Sequence, residues 1–186
     1  MKKLIYLCAV ILFVTSVAQA QTQYYTKEGK VKFVSKAPME QIEGVNKKVT
    51  SILDIATGQI EFSVLMKAFE FEKALMQEHF NENYVESDKF PKATFKGSIQ
   101  NNSDVKWTVD GTYPVKVSGK MTLHGVTKEI SASGTIEIKN GKISATSAFS
   151  LVIKDFDIVI PSVVKDKIAE SVSVEVNLNY ELFTSK

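Results

Sequence analysis

Two histidines, His79 and His124, are the only residues of their type in this 186-residue chain. Either one could act as a general base or as a metal ligand. A zinc site needs further His, Cys, Asp or Glu side chains at ligand spacing, and neither histidine has them nearby. On a helix, Glu78 would point about 100° away from His79. We therefore predict structural roles for both histidines. The alternative is a hydrolase or metal enzyme that uses His124.

Other groups capable of catalysis also lack an activating pattern. The chain has no Gly-x-Ser-x-Gly turn, and no serine stands beside a recognisable base. The carboxylate pairs Glu70/Glu72 and Asp155/Asp157 have strand-like spacing, which is typical of a solvated face. We therefore predict that the protein is not an enzyme and needs neither a cofactor nor a metal.

The N-terminal segment has the pattern of a secretory signal peptide. Lys2 and Lys3 precede a mostly apolar run of about 14 residues, which is too short for a membrane span of roughly 20. Ala18-Gln19-Ala20 is a small-x-small cleavage site. We expect residues 1–20 to be removed after Ala20 and the domain over residues 21–186 to be periplasmic or secreted, without a membrane-spanning segment.

Removing that segment changes the chemistry of the chain. The only cysteine, Cys8, lies within it, so neither a disulfide nor a thiol nucleophile is expected afterwards. The formal net charge of +2 falls to zero because the segment carries two lysines and no acidic residue. A neutral chain has no basic field to attract nucleic acid, and we predict no such partner.

One stretch, Leu75 to Gly97, changes its hydrophobic period in the middle. Leu75, Met76, His79 and Phe80 share one face of a helix, which we predict over residues 72–81. Pro91 ends any helix, and apolar residues then alternate from Ala93 to Ile99, as in a half-buried strand. A short helix therefore leads into a sheet.

The rest of the chain alternates with a period of two. A loose start over residues 21–30 precedes the first strand, and helical turns are expected only near residues 161–168. Asp110-Gly111 and Asn140-Gly141 are hairpin signals, and Gly125 allows another turn. No run is apolar on both faces, so the class is all-β and antiparallel, either a sandwich or a closed barrel of eight or nine strands. The predicted strands cover residues 31–36, 45–55, 60–66, 93–99, 105–109, 113–123, 130–138, 143–153 and 172–182.

Small residues recur on the apolar side of these strands, which has two explanations. They could leave an internal cavity, or they could fit the taper of a packed barrel. Alternation alone does not distinguish a lined cavity from a solid core. The residues are Gly97, Gly119, Ala132, Gly134, Ala145 and Ser147.

Two segments resemble a known family. LMQEHFNENYVESDKFPKATFKG (residues 75–97) and VSGKMTLHGVTKEI (residues 117–130) resemble, in order and spacing, motifs of the YceI-like lipid- and polyisoprenoid-binding family. The resemblance covers residues 60–183. The N-terminal third diverges, since VKFVSKA (residues 31–37) lacks the histidines common there. Met121 and Glu129 also replace a usual leucine and proline.

The resemblance implies a lipocalin-like closed antiparallel β-barrel of about eight strands with one short helix inserted. It also implies an exported, non-enzymatic protein that holds a polyisoprenoid or other lipid chain in an apolar cavity, for transport or storage. A homodimer is also considered. The alternative is an envelope structural or protein-interaction domain with a solid core. The expected cavity lining is Phe62, Val64, Met66, Phe69, Phe71, Leu75, Met76, Phe80, Phe95, Val117, Met121, Leu123, Phe149 and Leu151.

Overall fold

A computed structural model describes residues 22–184 and consists mainly of antiparallel strands. The predicted signal peptide, residues 1–20, lies outside the described residues. One α-helix, α1 (Ala74–His79), is present in the described part of the chain. The strands are β1 (Gln23–Lys36), β2 (Gln41–Asp54), β3 (Gln59–Leu65), β4 (Phe69–Phe71), β5 (Lys92–Ile99), β6 (Gly111–Leu123), β7 (Val126–Lys139), β8 (Lys142–Val152) and β9 (Ser171–Leu182).

Eight of these strands form a closed ring. Their order is β1-β9-β8-β7-β6-β5-β3-β2, and β2 pairs back onto β1, while the short β4 pairs with β2 at the side of the ring. All pairings are antiparallel. Closure removes the exposed strand edges on which other chains could pair. The predicted closed barrel of about eight strands is confirmed, and the sandwich alternative is wrong.

The first strand begins earlier than its sequence suggests. Residues 21–30 were expected to form a loose start, but β1 begins at Gln23 because its first residues pair on both sides. Tyr24 lies opposite Leu53 of β2 and Leu182 of β9. The register shifts on either side of Gly29, and this irregularity hides the period of two in the sequence.

Residues 105–109 form a loop, not the predicted strand. The N–H of Val105 donates to the carbonyl of Asn102, and that of Val109 to Lys106, so local turns satisfy backbone groups that a strand would pair with a neighbour. Val105 is buried and Val109 exposed. Asp110-Gly111 is not a hairpin turn either. Both carboxylate oxygens of Asp110 accept from the N–H of Asn140, at 3.0 Å.

The other turn predictions agree with the structure. Asn140 and Gly141 have φ angles of 52° and 73°, the paired positive values of a type I′ hairpin. His124 and Gly125, with φ of 50° and 77°, make the equivalent two-residue turn between β6 and β7. Near the C-terminus, a short 3₁₀ turn over Ser162–Val164 lies within the predicted helical region.

The two ends of the barrel differ. We call the end reached by the turn between β2 and β3 the far end, and the end that carries α1 the helix end. Towards the far end, Val49 and Leu53 have no exposed surface, and the hydroxyls of Ser51 and Tyr180 are hydrogen bonded at 2.8 Å. This bond lets two polar groups stay buried inside the barrel.

Replacing Tyr180 with phenylalanine is expected to lower the free energy of unfolding by about 1–3 kcal/mol, because the buried Ser51 hydroxyl loses its partner. Burial also raises the pKa of the Tyr180 phenol above its ordinary value. As pH rises above about 10, the unfolded chain loses the phenol proton of Tyr180 while the folded chain retains it. The free energy of unfolding therefore falls with rising pH in this range. Urea unfolding at neutral and alkaline pH measures both effects.

The variant Tyr180→Phe should therefore lose less stability than the native chain between neutral and alkaline pH. Adding Ser51→Ala to it should recover part of the loss at neutral pH, because no unpaired hydroxyl is then buried. Equal stability of Tyr180→Phe and the native chain would contradict the inference.

The helix end is built from longer connections. After β3, the register breaks in a 3₁₀ turn (Met66–Ala68), which moves Phe69 and Phe71 onto the short β4. The helix α1 then begins two residues later than predicted and continues as a π-helical turn through Tyr84. None of its residues is buried, so it borders the interior without filling it. Across residues 22–184, no helix has the length and apolar character required to cross a membrane.

Candidate functional site

The barrel interior holds two adjoining cavities. The larger, of about 490 Å³, lies at the helix end, and the smaller, of about 140 Å³, lies towards the middle of the barrel. Their walls share five residues, so the two spaces adjoin, and we call this shared part of the walls the junction. The junction residues are Val31, Val64, Ala93, Met121 and Val174.

Four phenylalanine rings form one wall of the larger cavity. Phe80, at the end of α1, stacks on Phe33 of β1 with ring centres 5.5 Å apart, and it contacts Phe69 and Phe71 at 5.4 and 5.0 Å. Gly44 makes room for this cluster, because a Cβ there would lie 2.4 Å from the Phe33 ring. The cluster fixes the helix against the barrel by aromatic contacts.

The smaller cavity is formed partly by small side chains. Ala132, Gly134, Ala145 and Ser147 line it, which supports the cavity interpretation of these positions. Gly97 and Gly119 do not line either cavity. They lie opposite each other on β5 and β6, and a Cβ on either would come within 2.4 Å of the facing backbone. For these two glycines the cavity interpretation was wrong, because the absence of a side chain lets β5 and β6 approach each other closely.

All fourteen residues predicted to line a cavity lie on the wall of one or the other. The last six residues of the predicted set, from Phe95 to Leu151, were expected to face the other eight across the barrel, and this was partly wrong. Phe95 and Met121 lie on β5 and β6, the next two strands round the ring from Phe62 on β3, whereas Phe149 lies on the opposite strand β8. The larger cavity has Val64, Met66, Phe69, Phe71, Leu75, Met76, Phe80, Met121, Leu123 and Leu151. The smaller has Phe62, Val64, Phe95, Val117, Met121 and Phe149.

Sequence reasoning missed a second group of lining residues. Phe33 and Val174 belong to alternating runs that were identified as strands, but neither run was assigned to the cavity. Ile42, Ile158 and Ile168 lie in segments without a clear period, so no sequence signal marked them. They reach the cavity because the connections at the helix end fold over it.

The charged groups that line the interior all belong to the larger cavity. They are Glu40, Lys73 and Lys167, and the Nζ of Lys73 is 3.5 Å from Oε1 of Glu40. His79 and Tyr84 add polar groups to the same wall, and burial raises the pKa of the Tyr84 phenol. The smaller cavity contains no charged lining residue. Both cavities are therefore mainly apolar, and the charged groups lie only in the larger one, at the helix end.

The larger cavity is reached from solvent at the helix end. Leu75, His79 and Lys167 line it and are also exposed. The opening lies between α1, the turn joining β1 and β2, and the connection before β9. The N–H of Met39 donates to the carbonyl of Asp166 at 2.9 Å and joins the last two of these segments.

His124 joins three segments of the chain. Its Nδ1 lies 3.1 Å from the carbonyl oxygen of Phe156, and its Nε2 lies 2.8 Å from Oε2 of Glu86. The ring also packs edge-on against Phe90, with centres 4.7 Å apart. Glu86 and His124 both have positive φ, a conformation that these contacts hold in place. This geometry agrees with the structural role predicted for His124.

The carboxylate pairs Glu70/Glu72 and Asp155/Asp157 lie at exposed positions. Glu70 is exposed, and its Oε2 is 3.4 Å from Nζ of Lys47. Asp157 ends a short 3₁₀ turn in the left-handed conformation. In the part of the chain that the structure describes, no three His, Cys, Asp or Glu side chains lie close enough to hold a metal ion.

Known structures share this fold at low sequence identity. A polyisoprenoid binding domain from Saccharophagus degradans, implicated in plant cell wall breakdown, matches with a TM-score of 0.76 and 14% identity, over 88% of this chain and 100% of that one. BcnA from Burkholderia cenocepacia matches with a TM-score of 0.68 and 18% identity, over 82% and 96%. The YCEI protein of Campylobacter jejuni gives 0.55 and 18%, over 74% and 84%.

No curated protein matches the sequence. The model of the YceI-like domain family does match, over residues 23–180. The match includes the N-terminal third, where the usual histidines are absent, and so extends further than the resemblance over residues 60–183. With most of the sequence matched and the barrel closed as described, this chain belongs to the YceI-like domain family.

Proposed function

We propose that this protein binds a polyisoprenoid or another lipid chain inside the barrel, for transport or storage, without catalysing a reaction. The observation that carries the proposal is the pair of adjoining cavities, whose walls consist mainly of aliphatic, aromatic and methionine side chains. An interior of this kind suits a long, flexible hydrocarbon, because methionine and aliphatic groups adapt to its shape. The similarity to a polyisoprenoid binding domain supports the same ligand class.

The distribution of charge gives the ligand an orientation. The hydrocarbon tail would reach through the junction into the smaller cavity, which has no charged lining residue. A polar head would remain near Lys73, His79 and Lys167, where water has access. In the reverse orientation the head group would lie among hydrocarbon, where an unpaired polar group is costly.

The proposal includes no chemical step and no metal or other cofactor. The two ring nitrogens of His124 are already engaged with Phe156 and Glu86, which supports a structural role over a catalytic one. Export to the periplasm or outside the cell belongs to the proposal as well, and it is supported by the signal-like sequence of residues 1–20. The homodimer stays a prediction.

Mass spectrometry of a solvent extract from the purified protein tests the proposal. We expect an isoprenoid or other long-chain lipid to be present in near-stoichiometric amount. The variant Met121→Asp should lose it, because the new carboxylate would lie at the junction of two apolar cavities.

Lys120→Asp provides the matched control, since it introduces the same side chain at an exposed position next along β6. This variant should retain the lipid. A correctly folded native protein that yields no lipid, and that takes up none when a polyprenol is added, would overturn the proposal and favour the domain with a structural or protein-binding role.

A further inference from the structure

The most exposed apolar side chains of the described residues gather at one end of the barrel. Val163 is 87% exposed, Val159 75%, Met39 70% and Leu75 60%, whereas no other large apolar side chain exceeds 50%. Met39 lies in the turn between β1 and β2, Leu75 in α1, and the two valines in the connection before β9. All three segments belong to the helix end. We call these four residues the rim.

The rim surrounds the opening of the larger cavity. Leu75 itself lines that cavity, and each of the other three is the sequence neighbour of a lining residue: Met39 of Glu40, Val159 of Ile158 and Val163 of Val164. The hydrogen bond from Met39 to Asp166 holds two of the segments together. The exposed apolar side chains therefore stand on the same three segments that line the larger cavity.

The two ends of the described chain lie away from the rim. The N–H of Ile55 donates to the carbonyl of Thr22 at 2.9 Å, and that of Phe183 to Gln23 at 2.8 Å, both at the far end of the barrel. The described part of the chain therefore begins and ends at the end of the barrel opposite the rim.

Charge near the rim is nearly balanced, with a formal excess of one positive charge. Residues 37–40, 73–76 and 158–168 contain three lysines and two acidic residues, and Lys73 is paired with Glu40. An anionic partner would gain little from this surface, so contact must depend on the apolar side chains. Apolar tips flanked by lysines, whose stems can lie along the surface while the ammonium stays in water, suit the interface of a lipid bilayer.

We propose that the rim docks on a lipid bilayer, with the opening of the larger cavity facing the membrane, so that the ligand passes between bilayer and barrel without crossing water. This inference rests on the proposed function, because a polyisoprenoid dissolves in a bilayer. A bilayer suits the rim better than a protein partner does. The four side chains stand on three separate segments around an opening, and a fluid surface can accept each of them.

Flotation with vesicles of phosphatidylethanolamine and phosphatidylglycerol tests the docking. The double variant Met39→Glu/Val163→Glu should lose vesicle binding by roughly 100-fold, since two apolar side chains would be replaced by charges. Val109→Glu is the matched control. It changes a half-exposed valine at the far end of the barrel and should bind vesicles like the native chain. Binding should change little with salt because charge near the rim is nearly balanced.

A second measurement separates docking from ligand binding. A polyprenol added from ethanol should load the double variant and the native protein equally, because Met39 and Val163 do not line either cavity. The same polyprenol supplied in vesicles should load the double variant much more slowly. Failure of the native protein to load from ethanol would count against the proposed function, while flotation would still decide the docking.

Three results would overturn the docking proposal. One is vesicle binding by the double variant equal to that of the native protein. Another is an equal loss in Val109→Glu, which would remove any special role of the rim. The third is a native dimer in analytical ultracentrifugation that Val163→Glu dissociates, which would make a second copy of the chain the occupant of this surface.

Discussion

The variant Ala93→Trp is expected to bind a long polyprenol at least 100-fold more weakly than the native protein, while its affinity for the short isoprenoid geraniol changes little. Ala93 lies on β5 opposite Val64, and both belong to the junction of the two cavities. An indole side chain there would occupy the passage. A long tail would then be confined to the larger cavity.

The expected size follows from the hydrocarbon that loses its site. Burial of one methylene contributes about 0.8 kcal/mol, so one five-carbon isoprene unit contributes about 4 kcal/mol. Exclusion of a single unit from the smaller cavity would weaken binding roughly 1,000-fold. Rearrangement of the tail within the larger cavity recovers part of this free energy, so the expected weakening is at least 100-fold. Geraniol fits within the larger cavity and needs no passage.

Competition with a fluorescent fatty acid measures both affinities. Ala148→Trp is the matched control, because Ala148 is exposed on the outside of β8. A bulky side chain in a packed interior costs about 1–3 kcal/mol of stability, so thermal unfolding of each variant is measured alongside. If Ala93→Trp does not fold, Ala93→Leu tests the same passage with a smaller obstruction and a smaller expected loss.

A long polyprenol that binds Ala93→Trp and the native chain equally would show that the tail does not pass the junction. The smaller cavity would then have no part in binding. An equal loss for geraniol and the long polyprenol would instead show damage to the whole site, and the two-cavity account of the ligand would be wrong.

Replacing Phe156 with alanine is expected to lower the free energy of unfolding by about 3–5 kcal/mol. Phe156 is 2% exposed and is the largest of the fully buried side chains in the described part of the chain. Its ring packs in the short 3₁₀ turn after β8, and its carbonyl oxygen is the partner of His124 Nδ1. The substitution leaves a cavity beside the connection that covers the larger binding space.

Phe183→Ala is the comparison, since it removes the same atoms at a position that is 44% exposed and packs edge-on against Tyr25. Its cost should be about 1 kcal/mol. Urea unfolding of both variants gives the two values. Equal losses in the two variants would mean that burial of the Phe156 ring adds no more to the free energy of unfolding than the exposed Phe183 does. The turn after β8 would then not be part of the cooperative core.

Much of the barrel could be predicted from local patterns. The alternation over residues 113–123 and 172–182 predicts β6 and β9, because a strand places successive side chains on opposite faces. Asn140-Gly141 predicts the turn between β7 and β8, since these residues tolerate positive φ. At Gly29 the pattern is irregular, and the prediction missed the start of β1. Over residues 105–109 the alternation is regular, but local turns satisfy the backbone groups, and the predicted strand was wrong.

The candidate site was predicted in its residues but not in its arrangement. Alternation identifies the inward face of each strand, and so Phe62, Phe95 and Phe149 could be named. It does not say which strands are neighbours. The pairing of β3 with β5 places Phe95 beside Phe62, and the closure of the ring by β1 and β2 places Phe149 on the opposite side.

By itself, the sequence determined the all-β class, most strands, two of the tight turns and the apolar identity of the lining residues, since these depend on neighbours within a few positions of the chain. The tertiary structure decided the rest. Whether the interior holds a cavity depends on the volume that the closed ring encloses and on the volume that its inward side chains fill. Both volumes are set by all eight strands together, so no short segment of the sequence predicts the cavity. The contact of His124 with Glu86 and the gathering of Met39, Leu75 and Val163 around one opening likewise join residues distant in sequence.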